Sequence, residues 1–170
     1  MGRHGSLVEV GTLGVLLLGP SGIGKSECAL ELVRRGHRLV ADDLVEIRVN
    51  AKGEPVGRAS ARIGHHMEIR GLGILSIPDL FGEVAVVDSV RIELACRFEP
   101  DRHDYDRIGI ERQTLSLEGA AVPCVTLPAH PAGTLATLVE VAARDEDLRR
   151  SGLNAAERFD ARLRDEMEDD

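Results

Sequence analysis

The stretch Gly19-Pro20-Ser21-Gly22-Ile23-Gly24-Lys25-Ser26 decides the fold, because it matches the phosphate-loop pattern G-x-x-x-x-G-K-[ST] at every position. Before it, Leu13 to Leu18 is a short apolar run that predicts a buried strand. After it, Glu27 to Arg35 places apolar residues at helical spacing. A glycine-rich loop between a strand and a helix presents backbone N–H groups, and the positive end of the helix, to phosphate oxygens. The sequence therefore predicts a nucleoside triphosphate site in an α/β fold, with Lys25 on the β- and γ-phosphates and Ser26 on Mg²⁺.

Two adjacent carboxylates follow the next strand. Arg38 to Ala41 is predicted to be a strand after a left-handed cap at Gly36, and it ends at Asp42 and Asp43. The C-terminal edge of such a strand faces the phosphate loop, where phosphoryl transfer needs a metal clamp and a proton acceptor. Because neighbouring side chains on an extended segment point to opposite faces, one carboxylate is expected to meet the nucleotide while the other supports the fold. The alternative is a solvated strand end, which is the less favoured interpretation beside a phosphate loop.

The middle of the chain is predicted to be rich in strands and its end to be helical, which favours a mixed sheet with C-terminal helices. Val90 to Phe98 alternates apolar and polar residues, as a half-buried strand does. Further strands are predicted at Leu44 to Val49 and Val122 to Leu127. Helices are predicted at Leu135 to Ala143 and after a capping box that starts at Asn154.

The last predicted helix carries an apolar stripe, for which packing on the same domain and a subunit contact are equally supported. The tail from Asp165 to Asp170 is acidic and is expected to be disordered. The stripe consists of Leu153, Ala156, Phe159, Leu163 and Met167.

Length and composition predict one soluble domain over residues 1–170, the single P-loop catalytic domain of the chain if the phosphate loop is functional, and they exclude several classes of protein. The net charge of −8, one Tyr, three Phe and no Trp argue against a nucleic-acid binder. Every apolar run is far shorter than the roughly 20 residues that span a bilayer, and no secretory signal is visible. Cys28, Cys96 and Cys124 form no Cys-x-x-Cys pair, so buried thiols in a reducing cytoplasm are expected.

A second unusual stretch is Glu68-Ile69-Arg70-Gly71-Leu72-Gly73-Ile74. The glycines on either side of Leu72 indicate a positive φ or a close backbone approach, and Glu68 and Arg70 would share a face if the segment were extended. From the residues alone, an irregular turn between strands is the favoured interpretation.

Several segments together resemble the catalytic domain of the bacterial HPr kinase/phosphorylase family, over residues 3 to 160. Many nucleotide-binding proteins share the phosphate loop, whereas Ala41-Asp42-Asp43 combined with the stretch from Glu68 to Gly73 is far more specific. The matching segments are Arg3 to Gly5, Gly19 to Glu27, Glu31 to Asp43, Glu68 to Ile74, Leu80 to Gly82, Tyr105 to Gly109 and Val139 to Ala143.

The resemblance implies a P-loop kinase domain related to phosphoenolpyruvate carboxykinase. Such a domain uses ATP and Mg²⁺ to phosphorylate a serine of HPr, the small phosphocarrier of a phosphotransferase system. It also implies phosphorolysis of the product, in which inorganic phosphate attacks the phosphoserine and pyrophosphate leaves. The implied activity requires an HPr-like partner. Family members assemble as hexamers, so a homo-oligomer is expected as well.

The resemblance also assigns roles to individual residues. Asp43 would take the serine proton, Lys25 would neutralise the transferring phosphoryl group, and Ser26 and Glu68 would hold the metal. His4 and Arg107, which are uninformative by themselves, match catalytic positions, with Arg107 as an electrostatic clamp on phosphate. Further candidates for the site are Asp42, Arg70, Gly71 and Gly73.

The chain departs from the family pattern in two ways. Family members commonly carry an N-terminal domain, so a short form resembling those of α-proteobacteria is expected. The stretch from Pro128 to Leu135 is tied to dephosphorylation in the family and usually contains an Arg-Asn pair after a glycine, whereas here Gly133 is followed by Thr134 and Leu135. Loss of a cation that holds phosphate predicts a kinase with weakened or absent phosphorylase activity.

Two alternatives stay open at this point. One is a small-molecule or carboxykinase-like phosphotransferase on the same phosphate loop. The other is a regulatory module that binds ATP without turnover, although an intact Asp43 argues against it.

Overall fold

The computed structural model describes residues 2–101, 104–130 and 134–168, and a nine-stranded mixed sheet forms its centre. The strands are β1 Gly2–His4, β2 Ser6–Val10, β3 Leu13–Leu18, β4 Arg38–Ala41, β5 Leu44–Val49, β6 Pro55–Ala59, β7 His66–Ile69, β8 Gly73–Ser76, β9 Ser89–Pro100, β10 Gln113–Leu117 and β11 Ala120–Ala129. The helices are α1 Lys25–Arg34, α2 Ile77–Phe81, α3 Leu135–Arg150 and α4 Ala155–Glu168, with a 3₁₀ turn at Glu83–Ala85.

The order of strands brings the loop after β3 and the loop after β4 to one edge. The main path runs β1-β5-β6-β9-β3-β2-β4, and β11 adds to β9 with β10 beyond it. Strand β2 is antiparallel to both β3 and β4, while β3 and β11 are parallel to β9. Strands β3, β4, β9 and β11 therefore run in the same direction and end at the same edge, where β2 begins. Strands β7 and β8 form a separate two-stranded hairpin.

The sheet separates two apolar cores. In β2 and β3 the residues alternate between them: Val8 and Leu17 belong to the core that contains residues of α1 and α3, and Leu7 and Leu16 belong to the other. Phe98 of β9 is fully buried in the core on the helix side. A sheet covered in this way holds its loops on a rigid frame.

The strand predictions are confirmed for β3, β4 and β5, and β9 covers the predicted alternating run. The predicted strand at Val122 to Leu127 is longer, Ala120–Ala129, and includes Pro123. Pairing with β9 starts only at Cys124, so Pro123 need not donate a hydrogen bond on that side.

The helix predictions hold in type but not in length. Helix α1 starts two residues earlier than predicted, at Lys25, and its end is capped by Gly36 with φ +95°, as expected. The Gly36 N–H donates to Val33 O and the His37 N–H to Leu32 O, which is the Schellman pattern.

Helix α3 continues past the predicted end at Ala143 to Arg150. Its second half carries charged residues, and ion pairs from Arg112 to Asp145 and Glu146 stabilise it instead of apolar periodicity.

The last helix begins as predicted, because the Asn154 side-chain oxygen accepts hydrogen bonds from the Ala156 and Glu157 N–H groups. Its apolar stripe stays largely exposed in this chain, with Phe159 at 53% and Met167 at 81%. Helix α4 runs through Glu168, and residues 169–170 lie outside the described part. Within the described part, no helix is long and apolar enough to span a membrane.

Candidate active site

A cavity of about 620 Å³ lies at the sheet edge where β3 and β4 end. It contains most of the residues that the sequence nominates as site residues, contributed by four separate segments of the chain. Its lining residues are His4, Gly5, Ser6, Gly19, Ser21, Gly22, Gly24, Lys25, Ser26, Glu27, Asp42, Asp43, Glu68 and Arg70.

The phosphate loop closes over the N-terminus of α1. At Gly19 a Cβ atom would lie 2.8 Å from the carbonyl oxygen of Phe98, so the close approach of β3 to β9 admits only glycine. Gly24 precedes α1 with φ +111°, a conformation that side chains disfavour. The Lys25 ammonium donates to the carbonyl oxygens of Gly19 and Pro20 at 2.9 and 3.0 Å. The loop thus keeps its cation next to the turn that would hold phosphate.

Asp42 is buried, at 2% exposure, and binds two hydroxyl groups. Ser26 Oγ donates to Asp42 Oδ1 and Oδ2 at 3.1 and 2.9 Å, and Ser6 Oγ donates to Oδ1 at 2.5 Å. Burial raises the pKa of the Asp42 carboxyl, and the hydrogen bonds from Ser6 and Ser26 act in the opposite direction. Asp42 therefore anchors the last residue of the phosphate loop, Ser26, from a buried position.

Asp43 has a strained backbone and an exposed side chain. Its φ is +65°, and the Leu44 N–H donates to Asp42 O at 2.8 Å, which makes a γ-turn centred on Asp43. The side chain is 77% exposed and lines the cavity. A non-glycine residue held in this region marks stored strain, which concentrates at functional sites.

Strand β1 holds the Asp43 carbonyl in place. The Gly5 N–H donates to Asp43 O at 3.1 Å, and His4 Nδ1 lies 3.2 Å from the same oxygen. A carbonyl oxygen only accepts, so Nδ1 is the donor in this contact. His4 Nδ1 is also 3.8 Å from Asp43 Oδ1. The structure thus places His4 and Asp43, both nominated from the sequence, next to each other in the cavity.

The β7–β8 hairpin contributes Glu68 and Arg70. Met67 and Ile69 of β7 are buried, so Glu68 between them points to the opposite side, towards the cavity. Arg70 lies in the turn, and one of its terminal nitrogens is 3.7 Å from the position of a Cβ atom built on Gly22. The guanidinium is therefore over the phosphate loop, where it adds a second cation to that of Lys25.

The structure has a turn between strands β7 and β8 here, which is the interpretation that the residues alone favour. The Leu72 N–H donates to Ile69 O, and Gly71 and Gly73 adopt φ +93° and +85°. The expectation of a positive φ at both glycines is confirmed. They shape the turn, and their Cβ positions face open space.

The oxygen ligands in this cavity fit Mg²⁺. Ser26 donates its proton to Asp42, which leaves its lone pairs for a cation, and Glu68 supplies a carboxylate in the same cavity. Within the described residues, no group of three or more His, Cys, Asp or Glu side chains could hold a metal by itself. That suits Mg²⁺, which commonly binds one or two protein oxygens together with water and substrate phosphates.

The sequence of this chain is similar to that of known proteins over nearly its whole length. The family model for the HPr Serine kinase C-terminal domain matches residues 1–163. This chain belongs to the HPr serine kinase C-terminal domain family. The HPr kinase/phosphorylase of Bacillus licheniformis is 49% identical to it, over 98% of this chain and 54% of that protein. The Bacillus subtilis protein of the same name is 48% identical over the same shares. The chain spans about half the length of the curated relatives it matches.

A solved structure of the family agrees with the fold. The structure of the Hpr(Ser) kinase/phosphatase from Coxiella burnetii matches with a TM-score of 0.83 at 29% identity, covering 94% of this chain and 98% of that one. The mixed α/β fold with a phosphate loop is therefore that of the HPr serine kinase family.

Arg107 is the one predicted catalytic residue that lies elsewhere. The structure places it in a different cavity, together with Arg112, Asp145 and Arg149. Its role as a phosphate clamp stays a prediction. Part of the segment that predicts weak phosphorylase activity, Pro131 to Gly133, lies outside the described residues.

Sequence reasoning missed Gly5 and Ser6 as individual contributors to this site. Both contribute to the Asp42–Asp43 turn, Gly5 through its N–H and Ser6 through its hydroxyl. Gly5 ends the matching segment Arg3 to Gly5, but no motif marks Ser6, which reaches this edge because β2 pairs antiparallel with β3 and β4.

Proposed function

We propose that this chain is an ATP- and Mg²⁺-dependent protein-serine kinase that phosphorylates an HPr-like phosphocarrier. The observation that carries the proposal is the exposed carboxylate of Asp43, held in a strained turn in the same cavity as the phosphate loop. A protein acceptor needs a proton acceptor that it can reach from outside, and Asp43 is 77% exposed.

The reaction follows from these groups. The loop N–H groups and Lys25 bind the β- and γ-phosphates, and Arg70 adds positive charge above Gly22. The serine oxygen of the carrier attacks the γ-phosphorus, the bond from that phosphorus to the β–γ bridging oxygen breaks, and ADP leaves. Asp43 takes the serine proton. Ser26 and Glu68 would hold Mg²⁺, which would supply neutralisation of the phosphate charge when bound.

The deciding experiment uses the intact chain, Mg·ATP and the HPr-like carrier of its own organism. We expect one phosphate on a serine of the carrier, located by intact mass and peptide mapping. A carrier with that serine replaced by alanine is the control. Nucleotide binding without any phosphoserine would favour the regulatory module, and transfer to a small acceptor alone would favour the small-molecule phosphotransferase.

We infer that phosphorolysis is weakened or absent in this chain, because Thr134 and Leu135 stand where the family usually has an Arg-Asn pair, and a cation that could hold phosphate is lost. Phosphate is added to the phosphorylated carrier and pyrophosphate is measured. A release rate comparable to the forward rate would overturn this inference.

The proposal includes a homo-oligomer, with a hexamer as the expected size, and a cytoplasmic location. Three free, buried cysteines are consistent with a reducing compartment. Light scattering on the purified chain measures the mass of the assembly.

A further inference from the structure

We infer that Ser6 is a positioning residue for the magnesium site, acting through Asp42 on the phosphate-loop serine; this inference rests on the proposed function. Ser6 is 1% exposed and starts β2. Because β2 runs antiparallel to β3 and β4, its first residue lies at the edge where those strands end. Pairing sets Ser6 opposite Leu17, one residue before the end of β3.

In the hydrogen bonds around Asp42, the two serine hydroxyl groups are the donors and the carboxylate is the acceptor. An ionised carboxylate only accepts, so Ser6 Oγ and Ser26 Oγ both donate to Asp42. Ser26 therefore directs its proton towards the protein interior and its lone pairs away from Asp42. Ser26 can hold a cation in this orientation only while Asp42 keeps its position.

Ser6 is the second hydroxyl group that holds Asp42, besides that of Ser26. Its bond to Oδ1 is 2.5 Å, shorter than either bond from Ser26. Val8 and Val10, the next residues on the same face of β2, belong to the core that contains α1, so Ser6 points towards the helix that carries Ser26. Removing the Ser6 hydroxyl takes away the shortest of these bonds to Asp42 and leaves Oδ1 with the longer bond from Ser26, at 3.1 Å, so Asp42 is held less firmly.

The test measures nucleotide affinity with and without the metal, by competition with a fluorescent ATP analogue. For Ser6→Ala we expect the affinity for Mg·ATP to fall about tenfold, the range for loss of a hydrogen bond to a charged group, while ATP in excess EDTA binds within about twofold of the wild type. Ser60→Ala is the matched control. Ser60 is also buried, at 7%, but its hydroxyl accepts from the Arg62 N–H in the turn after β6.

A second variant separates the hydrogen bond from the volume of the side chain. Ser6→Cys keeps nearly the same size but is a weak donor, so it should behave like Ser6→Ala if the hydrogen bond matters. Wild-type affinity in Ser6→Cys would overturn the inference. So would an equal loss of affinity with and without Mg²⁺, because that pattern means a general effect on the loop.

A double-mutant cycle tests the route through Asp42. In the Asp42→Asn background, Ser6→Ala should change Mg·ATP affinity by less than about twofold, because residues that act through one another are not additive. An undiminished effect there would overturn the inference. If the wild-type chain itself bound ATP no better with Mg²⁺ than without it, the magnesium site of the proposed function would fail, which is distinct from failure at Ser6 alone.

Discussion

The N–H group of Gly5 donates to the main-chain carbonyl of Asp43 at 3.1 Å and so connects the residue that follows strand β1 to the strained turn that presents the candidate base. The contact is possible because Gly5 has no side chain. A Cβ atom there would lie 2.6 Å from the carbonyl oxygen of Leu17, an atom of the backbone that cannot move away cheaply.

Gly5→Ala should therefore displace β1 and release the turn. We expect a loss of about 1–3 kcal/mol in the free energy of unfolding, as for other overpacked sites, together with a fall in phosphoryl transfer. Urea denaturation and a transfer assay measure the two effects. Gly53→Ala is the control, because Gly53 has φ +79° but open space around its Cβ position, so only backbone strain of about 1 kcal/mol is expected. Equal losses in the two variants would contradict the steric explanation.

Replacements of Asp43 separate its chemistry from its conformation. Asp43→Asn tolerates the left-handed φ of +65° but has no carboxylate to take a proton, so transfer should fall about 100-fold or more. Mg·ATP affinity should stay within about twofold of the wild type, since the phosphate loop is intact. Asp43→Gly relieves the strain and should raise the free energy of unfolding by about 1 kcal/mol while transfer is lost. Normal transfer by Asp43→Asn would mean that another group is the base.

Asp42→Asn should separate stability from function. Burial raises the pKa of Asp42, which means that its charge is costly in the folded state at neutral pH. Replacing the carboxylate with a neutral amide should leave the melting temperature equal or higher, and Mg·ATP affinity should fall at least about tenfold. Calorimetry and nucleotide titration measure the two. A large drop in melting temperature would show that the carboxylate is chiefly structural.

The buried thiols should be unreactive in the folded chain. Burial raises the pKa of Cys28 to about 12 and raises that of Cys96 as well, so neither forms the reactive thiolate near pH 8. We expect no alkylation by iodoacetamide at pH 8, and modification of all three cysteines after unfolding, both measured by intact mass.

The raised pKa of Cys28 makes the stability of the folded chain depend on pH. The neutral thiol is favoured when Cys28 is folded, so this contribution is complete below the ordinary pKa of 9.0 and is lost as the pH rises towards 12. Cys28→Ser should flatten the alkaline fall in melting temperature. If the fall in melting temperature at alkaline pH were the same in Cys28→Ser as in the wild type, groups other than Cys28 would be its cause.

Local sequence patterns predicted the core elements of the fold because each pattern carries its own physical signal. The phosphate loop between Leu18 and Lys25, the cap at Gly36 and the alternation in β9 all depend on residues close in the chain. The extension of α3 to Arg150 was not predictable in this way. It depends on Arg112, which is distant in sequence and pairs with Asp145 and Glu146 only in the folded chain.

In the candidate site, too, some features follow from short segments of sequence and others depend on contacts between distant segments. By itself the sequence determined the phosphate loop, the position of Asp42 and Asp43 after a strand, and the glycines of the hairpin, because these features are properties of short segments. The tertiary structure alone decided which carboxylate is buried, that Ser6 and Gly5 reach the turn, and that Arg70 lies over Gly22 while Arg107 does not line that cavity. Those relationships depend on strand pairing between segments far apart in the chain, and pairing is governed by packing of the whole sheet, which no local pattern encodes.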